Sequence, residues 1–195
     1  FGESLYMTAL VRSVTLSIVV VLLALVLGYP LAYVMARTRN PRRMNLYLML
    51  VLIPLQVDTI IRAYGLMILL GDVGLINRTR LHWELIEQAI PLMFNSTGVV
   101  IALLHTGIPI MVLSLMGVLR DIDPALEEAA RSLGASQWQA FVRVVWPLSL
   151  PGVLAGSLLV FGLGISAYTV PALLGGAHDA VAFAIRVLTM TGLAF

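Results

Sequence analysis

Residues able to do acid–base, nucleophilic or metal chemistry are sparse in this 195-residue chain. It contains no cysteine and no lysine, and all 12 basic residues are arginine. Thiolate nucleophiles, disulfides and Cys-ligated metals are therefore excluded, together with a phosphate-binding Walker A lysine, a Schiff-base lysine and a lysine general base. Any ATP must be handled by another chain. His82, His105 and His178 lie in separate segments, with no i,i+4 pairing and no carboxylate cluster beside them, so they read as structural. Neither Gly-x-Ser-x-Gly nor His-Glu-x-x-His occurs, which leaves an intramembrane hydrolase without a nucleophile or a metal. No cofactor is expected. Two charges stand out instead. Asp58 and Arg62 are one helical turn apart inside an apolar stretch, where unpaired charge is costly. They read either as an internal ion pair or as groups facing a translocation pathway, with Gln56 and Tyr64 as weaker candidates of the same kind.

These residues are carried by elements suited to a bilayer. Hydrophobic residues make up 60% of the chain, charged ones 11%, and the mean hydropathy is +0.99, more apolar surface than a soluble domain of this size can bury. The net charge of +2 gives no basis for a nucleic-acid surface. Residues 14–36 form an uncharged run of 23, and about 20 apolar residues cross a hydrocarbon core. Residues 44–71 form a second expected span, with Pro54 where a helix would kink, residues 97–119 a third, and residues 147–168 a fourth. Arg37, Arg39, Arg42 and Arg43 crowd the first connection, and Arg120, Arg131 and Arg143 the third, so both are expected on the cytoplasmic side. The second connection mixes Arg78 and Arg80 with Asp72, Glu84 and Glu87. Residues 171–180 carry no arginine, so this stretch and the second connection are expected outside. With residues 1–13 then also outside and the sequence opening mid-run at Phe1, a further helix is expected upstream, and another beyond Phe195.

The third connection, residues 120–146, has the densest local signals. Asp123 before Pro124 is an N-cap followed by proline at the first helical position. Glu127 and Glu128 place negative charge near the helix N-terminus, and Arg131 lies four residues after Glu127, within pairing distance. The spacing predicts a helix over 124–133, closed by Gly134 in the left-handed conformation. Ser136 and Gln139 form a capping box that starts another helix. Such a helix–turn–helix is either a rigid knob that docks in a partner's groove or a pair of amphipathic turns on the lipid surface, with Trp138, Phe141 and Trp146 as interfacial anchors. Gly152 and Gly156, followed by Gly162 and Gly164, allow another helix to approach the fourth span closely. Asn77-Arg-Thr79 and Asn95-Ser-Thr97 match the glycosylation pattern, which is common by chance.

Glu128-Ala129-Ala130, then Gly134, Val144 and Pro147 in their spacing, resemble the EAA motif of binding-protein-dependent ABC transporter permeases. Residues 28–37 (Gly-Tyr-Pro-Leu-Ala-Tyr-Val-Met-Ala-Arg), 61–65, 70–77 and 168–176 are similar to the spermidine/putrescine-type members, so the resemblance covers nearly the whole chain. One departure is Trp146, where the family usually has leucine. The resemblance implies an all-α integral membrane protein with the type I ABC importer transmembrane fold, four helices being present of an expected six, and a bacterial inner-membrane location. It implies that the helix around Glu128–Gly134 is a cytoplasmic coupling helix that enters a cleft in an ATPase subunit, with Pro147 part of the same motif. Ala129 and Ala130 would allow close approach, Gly134 the sharp turn, and Glu128 a carboxylate for a partner donor. The implied partners are ABC ATPase subunits, a second permease in a heterodimer, a periplasmic solute-binding protein and membrane lipid, and the implied substrate is a small solute of polyamine type. An ion-coupled secondary transporter is the alternative. Its expected internal repeat is missing, since Pro54 supplies only one break.

Overall fold

The computed structural model describes residues 2–71, 74–83, 90, 92–167, 170 and 174. Among them every regular element is helical: α1 (Gly2–Arg37), α2 (Pro41–Gln56), α3 (Thr59–Leu70), α4 (Leu75–His82), α5 (Ser96–Asp121), α6 (Pro124–Ser132), α7 (Gln137–Ala140), a π-helical turn (Phe141–Val145) and α8 (Trp146–Ser166). Four stretches are long and apolar enough to cross a bilayer: Leu10–Arg37, Thr59–Leu81, Ser96–Asp121 and Gln137–Ser166. Asp72, Glu84, Glu87, His178 and most of both the 171–180 connection and the 168–176 motif lie outside the described residues.

Two boundaries differ from the sequence expectation, each for a local reason. The run 44–71 divides at Val57–Asp58, not at Pro54, which is accommodated inside α2. Asp58 takes an extended conformation, and its Oδ1 accepts from the Ile60 N–H at 2.8 Å, so the chain starts a new helix there. At 1.5 Å per residue, the 16 residues of α2 span about 24 Å, short of a full crossing. The fourth stretch starts at Gln137, ahead of Pro147, because α7 runs into α8 through the π-turn. The Trp146 N–H reaches back to Phe141 O, and the next residue, Pro147, has no N–H to donate.

The described residues fall in two compact units. One is formed by Phe1–Val20, Gln56–His105 and Gly162–Phe195. In it Asn77 is fully buried and staples the chain: its Nδ2 donates to Gly71 O at 3.2 Å and to Ile90 O at 3.0 Å, while its Oδ1 accepts from Ile90 N at 3.1 Å. An amide held this way is unavailable as a glycan acceptor. Asn95 Oδ1 likewise accepts from Gly98 N at 3.1 Å, at the start of α5. The Arg12 guanidinium donates to Ser96 Oγ at 2.9 Å.

The other unit comprises Val21–Leu55 and Thr106–Phe161. Its core is apolar and includes Ala24, Ala32, Met35, Met111, Val112, Leu115, Leu119 and Val160, all fully buried. The glycine spacing in α8 is a packing device. A Cβ at Gly152 would lie 3.0 Å from Val118 Cγ2 and 3.1 Å from Val118 Cβ, and one at Gly156 would lie 2.7 Å from Met111 Sδ and 3.2 Å from Ser114 Cβ. α8 thus seats directly on α5. Replacing Gly156 with leucine is expected to lower stability by about 1–3 kcal/mol through overpacking. A Cβ at Gly162 meets nothing within 4 Å, so Gly162→Ala is expected to leave the thermal unfolding midpoint in detergent unchanged or slightly raised.

Candidate functional site: the segment between α5 and α8

α6 begins and ends as its local sequence dictates. Asp123 Oδ1 accepts from Ala125 N at 2.9 Å, and Pro124 occupies the first turn. At the other end Gly134 has φ +90°, its N–H donates to Arg131 O at 3.0 Å, and the Ala135 N–H donates to Ala130 O at 3.1 Å. These two bonds form the Schellman closure, which satisfies carbonyls the helix would otherwise leave open. A Cβ at Gly134 would meet nothing within 4 Å, so glycine is required here for its dihedral alone. The capping box then starts α7: Gln139 N donates to Ser136 Oγ at 3.2 Å and Ser136 N donates to Gln139 Oε1 at 2.9 Å. Two helices are therefore set around one fixed turn by hydrogen bonds on both sides of it.

The two adjacent carboxylates of α6 have opposite surroundings. Glu128 and Ala129 are exposed, and the Glu128 carboxylate accepts no bond from the described residues. Leu133, at the turn, is 90% exposed. Glu127 points the other way, toward the C-terminal end of α1. Its Oε2 accepts from the Tyr33 hydroxyl at 2.8 Å, and its Oε1 is ion-paired with the Arg37 guanidinium, the two side chains being only 17% and 19% exposed. The expected Glu127–Arg131 pair gives way to this one, in which Arg37 and Tyr33 of α1 together satisfy the Glu127 carboxylate. Arg37 also donates through Nη1 to Ile122 O at 2.9 Å and Leu119 O at 3.4 Å, at the C-terminal end of α5. One guanidinium thus holds the ends of α1, α5 and α6 together, and each hydrogen bond to a charged group contributes about 1.5–3 kcal/mol.

An aromatic cluster continues the same seam. Tyr29, Tyr33 and Arg37 recur at i, i+4 and i+8 on one face of α1. Phe141 packs edge-on to Tyr29 (centroids 5.6 Å) and Tyr33 (5.9 Å), and Trp138 stacks on it at 5.5 Å. Trp146, the departure from the usual leucine, lies 5.3 Å from the Tyr29 ring. Ser149 Oγ donates to Trp146 O at 2.9 Å, so its single proton is committed. The Tyr29 hydroxyl, 2.7 Å away, is therefore the donor to Ser149. Of the aromatic residues expected as interfacial anchors, Phe141 and Trp146 pack against α1, whereas Trp138 remains 70% exposed. Sequence reasoning missed Tyr29, Tyr33, Arg37 and Glu127 as one constellation, although the three-residue stripe on α1 was the available signal.

Asp58 and Arg62 lie elsewhere, at the break between α2 and α3. Asp58 is exposed and caps α3, while the half-buried Arg62 donates from its guanidinium to Val57 O across the same break. The other candidates cluster: Glu128, Ala129, Ala130 and Gly134 share α6 and its turn, and Pro147 follows the π-turn that leads into α8.

Among the described residues the domain is all-helical, with four membrane-length stretches and a capped helix–turn–helix between the last two, an arrangement that matches the type I importer transmembrane fold. The chain belongs to the family described as binding-protein-dependent transport system inner membrane component, which matches residues 24–192, and is accordingly a multi-pass inner-membrane protein. Among its relatives is the spermidine/putrescine transport system permease protein PotB of Escherichia coli (strain K12), 38% identical over 177 residues, covering 91% of this chain and 64% of the relative. PotB of Haemophilus influenzae is 35% identical over 173 residues, covering 89% and 60%. The molybdenum transport system permease protein ModB of Mycobacterium bovis is 32% identical over 174 residues, covering 89% and 64%. The chain therefore spans less than two-thirds of the length of these relatives. A crystal structure of a bacterial ABC transporter involved in import of the acidic polysaccharide alginate has the same fold, with a TM-score of 0.69 at 16% identity, covering 95% of this chain and 70% of that one.

Because the turn needs only a positive φ, Gly134→Ala is expected to cost about 1–2 kcal/mol. Gly134→Asn is expected to cost less, since asparagine visits the left-handed region more readily. Thermal unfolding of both variants in detergent checks the order.

Proposed function

We propose that this chain is the membrane core of one permease subunit of an ATP-binding-cassette importer. It contributes to the translocation pathway, holds no ATPase site of its own, and receives motion from ATPase subunits through α6. The observation that carries this reading is the outward face of α6. A helix fixed at both ends by caps presents Glu128 and Ala129 to the outside, next to a turn whose Leu133 side chain is 90% exposed. A docked partner would cover that leucine, and small side chains at Ala129 and Ala130 would let its surface come close. In this reading Glu128 is the carboxylate offered to a partner donor, Gly134 sets the turn, and Pro147 with the π-turn joins the knob to α8.

The remaining subunits are two ATPases, a second and different permease, and a periplasmic solute-binding protein that supplies the substrate. A polyamine is the proposed cargo, supported by the spermidine/putrescine permeases at 38% and 35% identity, against 32% for the molybdenum permease. Asp58 and Arg62 are the proposed pathway residues. They sit at an interrupted membrane helix, where charged groups and free backbone ends are tolerated only beside protein or water.

Two measurements test this function. Co-purification of the complete permease with its ATPase is expected to be lost in the Gly134→Pro, Glu128→Arg double variant while membrane insertion is retained. Uptake of labelled spermidine by the reconstituted complex is expected to require ATP and to persist when ion gradients are collapsed. ATPase binding by the double variant equal to that of wild type would remove α6 as the coupling element. Uptake that follows an ion gradient without ATP would overturn the importer reading.

A further inference from the structure

The two carboxylates at positions 127 and 128 are neighbours in sequence yet face opposite sides, and only one of them is available to a partner. Glu127 is engaged within the chain by Tyr33 and Arg37, both in the last turns of α1, a helix 90 residues earlier in sequence. The helix nearest in sequence, α5, ends only two residues before α6, and its C-terminal carbonyls bind the same Arg37. Covalent continuity alone would make α5 and α8 follow any displacement of α6. α1 has no such continuity, and its connection to α6 is non-covalent.

We propose that Glu127 is the positioning residue that makes α1 move with α6. It transfers motion through the Arg37–Glu127–Tyr33 clasp into a helix that the coupling segment does not adjoin in sequence. Glu128 then faces the ATPase while Glu127 faces the membrane domain, and the two charges have separate duties. The aromatic seam of Tyr29, Tyr33, Phe141 and Trp146 resists separation of α1 from the π-turn, and the Tyr29–Ser149 bond and the Arg37 bonds to Leu119 and Ile122 tie α1 to α8 and to the end of α5, but none of these reaches α6 itself. Among the described residues, the clasp alone joins α1 to α6 by charge-assisted bonds, which are short-range and directional, so it fixes both distance and register. This inference rests on the importer reading above, since it assumes that α6 is displaced by an ATPase.

The test follows α1 directly and needs no transported solute. With any cysteine elsewhere in the assembly replaced, Val26→Cys, at a position 67% exposed and about three turns from Arg37, can carry a nitroxide in the complete permease assembled with its ATPase and partner permease. Oxygen accessibility at this label is expected to change severalfold between the nucleotide-free complex and the ATP–vanadate-trapped complex. With Glu127→Ala added, the ratio of the two accessibilities is expected to fall at least twofold toward unity while the ATPase still binds and hydrolyses ATP. With Glu127→Gln, which retains one acceptor oxygen, part of the response should remain. A full response in Glu127→Ala would overturn the proposal, as would an unresponsive label in a parent complex that hydrolyses ATP. Loss of ATPase binding in both Glu127 variants would also overturn it, because the clasp would then only maintain the fold. Failure of the parent to bind any ATPase would instead sink the importer reading, and the clasp's coupling role with it.

Discussion

The Arg37 guanidinium is the constraint around which the rest of this arrangement is organised. It sits at the end of an apolar helix, pairs with Glu127 of α6, and donates to the last carbonyls of α5. A half-buried charge of this kind is tolerated only with its partners in place, because removing one leaves the other desolvated and unpaired. The ends of three helices are therefore specified together. Once they are, the rotation of α6 follows, which turns Glu127 inward and leaves Glu128 and Ala129 outward. The aromatic residues at positions 29, 33, 141 and 146 pack against one another along the same face of α1, and the small residues of α8 allow that helix to seat on α5.

Function follows from the contrast between the fixed interior and the free exterior. In the proposed function α6 is a docking element, which has to be rigid to transmit displacement, and α6 is fixed locally by an Asp123 cap at one end and a Schellman closure at the other. It also has to be connected to the helices it moves. α5 and α8 are connected by the chain, and α1 by side chains. Type I importer domains have to convert a movement at one surface into a change of access within the membrane. Packed helices with discrete, hydrogen-bonded junctions do this as nearly rigid bodies.

Much of this was legible in the sequence because it is local. Asp123 with Pro124, Gly134, and Ser136 with Gln139 each determine backbone geometry within a few residues, and the helix–turn–helix could be read from them directly. The long apolar runs marked α1 and α5 equally well. The break in the second run was less legible, because proline near the end of a helix is tolerated and the side chain of Asp58 supplied a stronger restart signal than Pro54 supplied a stop. The start of the fourth stretch was hidden for a related reason. A π-turn absorbs the missing N–H of Pro147, so the helix continues where the proline suggested a boundary. The clasp was not legible, since Glu127 and Arg37 are 90 residues apart and Arg131 offered a nearer partner. The buried stapling role of Asn77 was not legible for the same reason, its partners being set by the folded path of the chain.

The central claim is that α1 and α6 form one mechanical body. The most direct test is a pulsed electron–electron resonance distance between nitroxides at Val34→Cys on α1 and Arg131→Cys on α6, both exposed positions and neither on the Glu128–Ala129–Leu133 face, in the assembled transporter. Nucleotide-free and ATP–vanadate-trapped complexes should give superimposable distance distributions. A shift of the distribution by more than its own width between the two states would mean that α6 moves without α1, and would contradict the account.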